Sequence, residues 1–244
     1  MGCTEQWYEQ SLQFLDERLF GSVFSVRGAE HLARWTVSAA LVERLEEKLP
    51  YKELLSICQS TSINRTGWPF LFCDQVSNDD KGGVYPTPWG IEGWVDHSLG
   101  SLRLDAWELD ARGAFHHSVT RGAPGHQKAT TFRDLLTHPL LGLETISELF
   151  TSIGRPREML YLRIALQNAK GLRLVHHDGL HQQAGPLEES TLRWEKYMTA
   201  QELRMSLIDH AADIYEKFRT HFGPATQSRA KIKEQLEQLL ESKF

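Results

Sequence analysis

Four groups of side chains have the types and spacing that chemistry needs. The densest is VHHDGLHQ, which holds His176, His177, Asp178 and His181. Histidines four apart on a helix can grip a metal ion. A His-His pair opening a strand can also present the imidazole that activates water while a metal holds a phosphate. That nuclease arrangement needs a further Asn or His on the loop and helix that follow. The last asparagine is Asn168, and the histidines after the pair are His181, His210 and His221. The expected state is a polar turn with solvated imidazoles, and a metal site on His176, His177 and His181 is the alternative. The second group is AFHHSVTR, residues 114–121. On a strand, His116 and His117 face opposite ways, one toward the core and the other outward, with Arg121 closing the run.

The third group is acidic: Glu92, Asp96, Asp105, Glu108 and Asp110. A metal-and-base nuclease site would need an Asp followed on the next strand by Glu-x-Lys, and WEKY at 194–197 lacks that spacing. A solvated acidic edge is expected instead. The fourth group interleaves Trp68, Trp89, Trp94 and Trp107 with Arg65, Arg103 and Arg112. Aromatics beside arginine can stack single-stranded bases, although the same rings serve as the bulky half of a sheet–helix core. No Walker A loop, G-x-G-x-x-G or G-x-S-x-G is present, so nucleotide binding and serine-hydrolase chemistry have no motif behind them. The candidate binding residues are Arg65, Trp68, His116, His117 and Arg121; no catalytic residue and no cofactor is expected.

The 244 residues are 41% hydrophobic and 24% charged, ordinary usage for a chain that can bury a sizeable core without a staple. A net charge of −5 gives no global field for a nucleic-acid backbone. Cys3, Cys58 and Cys73 are odd in number and form no C-x-x-C pair, which argues against a disulfide framework or a thiolate zinc site. The start, MGCTEQWYEQ, has no apolar signal-peptide stretch. Gly2 invites myristoylation, but Gln6 stands where Ser or Thr is needed. No apolar run reaches the length of a membrane span, so a reduced cytoplasm and no membrane partner are expected. There the Asn64-Arg65-Thr66 sequon carries no meaning.

Apolar residues at helical spacing predict helices over 4–20, ended by Gly21, and over 29–49, through Leu32, Trp35, Ala39, Val42, Leu45 and Leu49. Pro50 suits the first turn of another, Tyr51–Gln59. From Ser60 the chain turns to Gly, Pro, Trp and alternation. Trp68–Cys73, Ile91–His97 and Ala114–Arg121 read as strands, with Trp68, Phe70 and Phe72 on the core face of the first. Asn78–Gly83 reads as a loop. Residues 131–153 read as a helix with Pro139 at a kink or at its true start. Leu160, Leu162, Ile164 and Leu166 alternate strictly, which predicts a hairpin over 157–178 through Asn168–Gly171. Thr191–Met198 is a further strand. Thr199 and Glu202 form a capping box for a helix to 222, and Ser228–Lys243 is a last, highly charged helix. The architecture expected is α+β, a mainly antiparallel sheet packed against helices. Its parts are an N-terminal helical unit (1–60), a core domain (61–225) and a C-terminal helix (226–244) that could serve as a partner handle.

The order NRTGWPFLF, IEGWV, DAWELDARGAFHHSVTRG, FRDLLTHPLLGLETISELF, EMLYLRIALQNAKGLRLV and TLRWEKYMTAQELRMSLIDHAADIYEKFRTHFG resembles the C-terminal companion domain of bacterial Schlafen/AlbA-type DNA-binding regulators. Residues 51–222 are covered. Two departures stand out: Ala123 replaces the tyrosine expected after Arg121-Gly122, and the AlbA domain itself is absent. The resemblance implies a non-catalytic accessory or sensor subunit in a regulatory or antiviral genome-defence complex. Its partner would be a protein, an ATPase or nuclease subunit, with nucleic acid reached through the complex. A metal-dependent nuclease and a single-strand nucleic-acid-binding module are the alternatives.

Overall fold

A computed structural model describes residues 7–65, 70–73, 81–96, 103–120, 128–175, 186–223 and 227–242. The strands are β1 (Arg34–Leu41), β2 (Gly82–Pro86), β3 (Gly90–Asp96), β4 (Leu104–Asp110), β5 (Ala114–Thr120), β6 (Ala129–Thr131), β7 (Met159–Gln167), β8 (Arg173–Val175) and β9 (Thr191–Thr199). The helices are α1 (Trp7–Leu19), α2 (Tyr51–Thr61), α3 (Phe132–Ser152), α4 (Ala200–Met205), α5 (Leu207–Thr220) and α6 (Arg229–Glu241). Seven strands form one sheet in the order β2-β3-β4-β5-β1-β7-β9. All its neighbours pair antiparallel, the α+β arrangement expected. β6 and β8 pair parallel beside it.

The helix expected over 29–49 is instead the central strand β1, between β5 and β7. All eight of its residues are buried. Trp35, Val37, Ala39 and Leu41 enter the main core with α3, while Ala40 packs against Leu12 and Leu15 of α1. A strand covered on both faces reads as a continuous apolar run, which periodicity cannot tell from a buried helix. Residues 42–49 follow as an irregular segment tied to the β4–β5 turn, with Leu45 and Leu49 N–H groups donating to Arg112 and Ala111 carbonyls. The first sixty residues therefore supply a central strand of the sheet as well as helices α1 and α2. Gly21 does not end the first helix either. A π-helical turn continues over Phe20–Ser25, burying Val23 and Phe24, and the chain turns at Gly28, whose φ of 67° needs glycine.

α3 buries residues on nearly every side, as a helix does between a sheet and an outer helical layer. It packs on β1 and touches α2, α4, α5 and α6. Pro139 lies inside it, and Thr131 and Asp134 form a capping box at its start. The predicted 199–222 helix is two, α4 and α5, broken at Ser206, whose hydroxyl donates to the Glu202 carbonyl; the Thr199–Glu202 capping box opens α4. The hairpin expected over 157–178 does not form. β1 and β9 occupy both edges of β7, so the returning chain pairs β8 with β6. Residues 70–73 are not a strand. Phe70 and Leu71 are consecutive and both buried, and the Leu71 and Phe72 carbonyls accept side-chain bonds from Ser62 and Trp107.

Trp107 lies wholly inside, opposite Gly93 of β3. A Cβ on Gly93 would fall 2.5 Å from the indole. Gly93→Ala should therefore displace Trp107 and cost about 2–3 kcal/mol, read as a fall in the urea midpoint with a change in tryptophan emission.

Candidate functional site

Beneath α1 the sheet carries a polar row where an amphipathic helix would ordinarily meet apolar side chains. Glu92, Glu108, His116, Ser38, Arg163 and Glu195 are successive cross-strand neighbours over six strands. Period two puts them on one face, opposite the α3 face. α1 covers the row with apolar Leu12, Leu15 and Leu19 and brings Asp16 and Arg18 to the polar groups between.

Arg18 binds two glutamates from adjacent strands. Its Nε donates to Glu108 at 2.8 Å and its Nη2 to Glu92 at 2.6 Å. Glu108 is fully buried. Burial raises its carboxyl to about 7 despite Arg18, and the charges of Glu92 and Asp110 add to the rise.

Next to this pair, Ser38 Oγ lies 2.8 Å from His116 Nδ1. His116 Nε2 lies 3.1 Å from Ser118 Oγ and 3.2 Å from Asp16 Oδ1. Asp16 also meets Arg34 at 2.9 Å and accepts from Gln167 Nε2 at 3.0 Å. Burial lowers the His116 pKa, with Arg34 and His117 acting in the same direction. The neutral ring that donates from Nε2 and accepts at Nδ1 fits these partners. Burial alone would raise Asp16, but hydrogen bonds from His116 and Gln167 and the charge of Arg34 hold it well below the usual carboxylate range.

Ser38, His116 and Asp16 make up the residue set of a nucleophilic triad. Ser38 and His116, however, are buried in central strands, and the ladder engages the strand N–H groups that would have to stabilise an oxyanion. Chemically the arrangement is a buried polar lock between α1 and the sheet, its charges paired within a few ångströms. Asp16→Asn should lower stability by about 2 kcal/mol near neutral pH, the scale of charged hydrogen bonds. The depressed pKa makes Asp16's contribution present above its ordinary 3.8 and lost as pH falls through the lower folded value. The gap to the parent chain in urea unfolding should therefore narrow in acid.

On the other face, His117 Nε2 pairs with Asp105 Oδ1 at 2.7 Å, and its ring lies 4.2 Å from that of Phe70. The two histidines do face opposite ways, but both are buried, so the expected exposed imidazole is not there. Glu108 and Asp105 are buried too, because Arg18 and His117 neutralise or bond them; the acidic run is no solvated edge.

Arg65 is committed within the fold. It donates to Glu144 at 2.6 Å and to the Leu240 carbonyl at the C-terminal end of α6, where a cation complements the helix dipole. The tryptophans do not form one platform. Trp107 is interior, Trp94 lies 3.8 Å beneath the Arg27 guanidinium, and Trp89 packs against Phe14. Trp68, Arg121, His176, His177 and His181 lie outside the described residues. Among the described residues, no three His, Cys, Asp or Glu side chains stand together in a geometry for a metal ion.

Asp16, Arg18, Arg34, Ser38, Arg163 and Glu195 were not singled out from sequence. The one local signal was Thr36 and Ser38, polar at alternate positions of an otherwise largely apolar β1. Compared with known protein families, with characterised proteins and with solved structures, the chain matches none of them.

Proposed function

We propose that this chain is a non-catalytic accessory or sensor subunit acting with a protein partner in a regulatory or genome-defence complex. The observation that carries this reading is the closure of the polar layer. The Ser38–His116–Asp16 and Arg18–Glu108 groups, which have the chemistry for catalysis, are bonded to one another under α1. Such a layer fixes the register of a helix on a sheet. The partner's class, an ATPase or nuclease subunit, is what the resemblance of the sequence segments to the AlbA-associated companion domain implies. Cys58 and Cys73 are buried and not joined in a disulfide, in keeping with a reducing cytoplasm; no helix among the described residues is long and apolar enough to cross a membrane.

Native mass spectrometry tests the reading, using the chain purified from its own host with neighbouring genes intact. A stoichiometric complex with an ATPase or nuclease subunit is expected. A lone monomer or homodimer would overturn it.

A further inference from the structure

β2 and β9 are the two edges of the seven-stranded sheet. Natural sheets blunt such edges with short strands, proline, bulges or charge. β2 is short, five residues ending in Pro86. β9 uses none of the backbone devices. Its nine residues, TLRWEKYMT, include no proline or glycine. They pair with β7 in unbroken register from Met159 opposite Thr199 to Gln167 opposite Thr191. Among the described residues no strand pairs with the outer side of β9. Thr191, Arg193, Glu195, Lys196 and Tyr197 are exposed along it.

Charge is the safeguard that remains, and its pattern selects the occupant. A second copy can add to β9 antiparallel about a two-fold axis, like face beside like face, when the axis passes through a residue. Axes through Arg193, Glu195 or Lys196 would each set a charge against its own copy, which is destabilising. An axis through Trp194 instead sets Arg193 against Glu195 of the second copy, twice over. It also sets Leu192 against Lys196 and Thr191 against Tyr197, with no like charges opposed. Glu195 is already flanked on its inner side by Arg163 of β7, at 2.9 Å. Arg193 of the second copy would flank its outer side. The polar row beneath α1 would then run on into the neighbour with charges that alternate. Within one chain Arg193 comes no nearer to Glu195 than 3.5 Å and stays half exposed.

We propose that β9 is a self-pairing edge: two copies of this chain join antiparallel through it, Arg193 of each opposite Glu195 of the other, so that one sheet runs across both. This goes beyond the accessory-subunit reading and stands without a partner subunit.

Sedimentation equilibrium of the isolated full chain tests the pairing. A dimer with a Kd of about 10 μM is expected, the scale of a small, partly wet interface. Arg193→Glu, at an exposed position, should weaken it about thirtyfold, since two attractive pairs become two repulsive ones, with the circular dichroism unchanged. Disulfide trapping with oxidised glutathione, in a Cys3→Ser chain, reads the register, because directly opposed strand residues lie close enough to bridge. Thr191→Cys mixed with Tyr197→Cys should cross-link, and neither variant alone should. A chain that stays monomeric well above the expected Kd, a Kd unmoved by Arg193→Glu, or cross-linking of either cysteine variant to itself in place of the mixed pair would each overturn the proposal. The measurements use the chain alone, so a monomer here would leave the test for a partner subunit untouched, and a dimer that takes up the partner satisfies both.

Discussion

Arg18→Ala should cost the chain about 3 kcal/mol near pH 8, because it leaves buried carboxylate without its cation. Glu92 and Glu108 are direct cross-strand neighbours, and Arg18 stands between their charges and mutual repulsion. The loss should shrink markedly near pH 5.5. Glu108 titrates at about 7 in the folded chain against an ordinary 4.5. The folded state thus holds a proton that the unfolded chain releases between those values. The stability from protonated Glu108 is fully present below the lower value and lost as pH rises through the higher one. Without Arg18 the folded carboxyl titrates higher still, so the variant's stability keeps falling into the alkaline range where the parent has levelled off. Urea unfolding at both pH values checks this. An equal loss at each would mean that Arg18 acts through packing rather than charge.

Deleting residues 227–244 should cost about 4–5 kcal/mol, which makes α6 part of the core rather than a detachable handle. Ile232 and Leu236 are buried in the main hydrophobic cluster, and each aliphatic side chain contributes about 2 kcal/mol by burial. Arg229 bridges Asp213 at 2.7 Å and Glu216 at 2.5 Å on α5, but these groups are more than a third exposed and screening leaves such pairs worth little. The apolar contacts therefore dominate. The truncation also removes the Leu240 carbonyl that Arg65 caps. A truncated chain with the parent's urea midpoint would restore the view of α6 as an appendage. Leu236→Ala should reproduce about 3 kcal/mol of the loss, the usual scale for a buried leucine.

By itself the sequence determined the elements whose signals are local. β7 follows from strict alternation, α3 and α6 from apolar residues at helical spacing, and the start of α4 from the Thr199–Glu202 pair three residues apart; Thr191–Met198 also read as a strand, which is β9. It also determined that His116 and His117 face opposite sides, because period two requires it. What the tertiary structure alone decided was where those faces lead. β1 looked helical because both its faces are buried, and burial on both faces is a property of the sheet, not of eight residues. The partners of the site are far apart in the chain: Arg18 meets Glu92 and Glu108 across 74 and 90 positions, and Ser38 meets His116 across 78. Such pairs form only after strands from distant segments take neighbouring places in one sheet, and no spacing along the chain encodes that order.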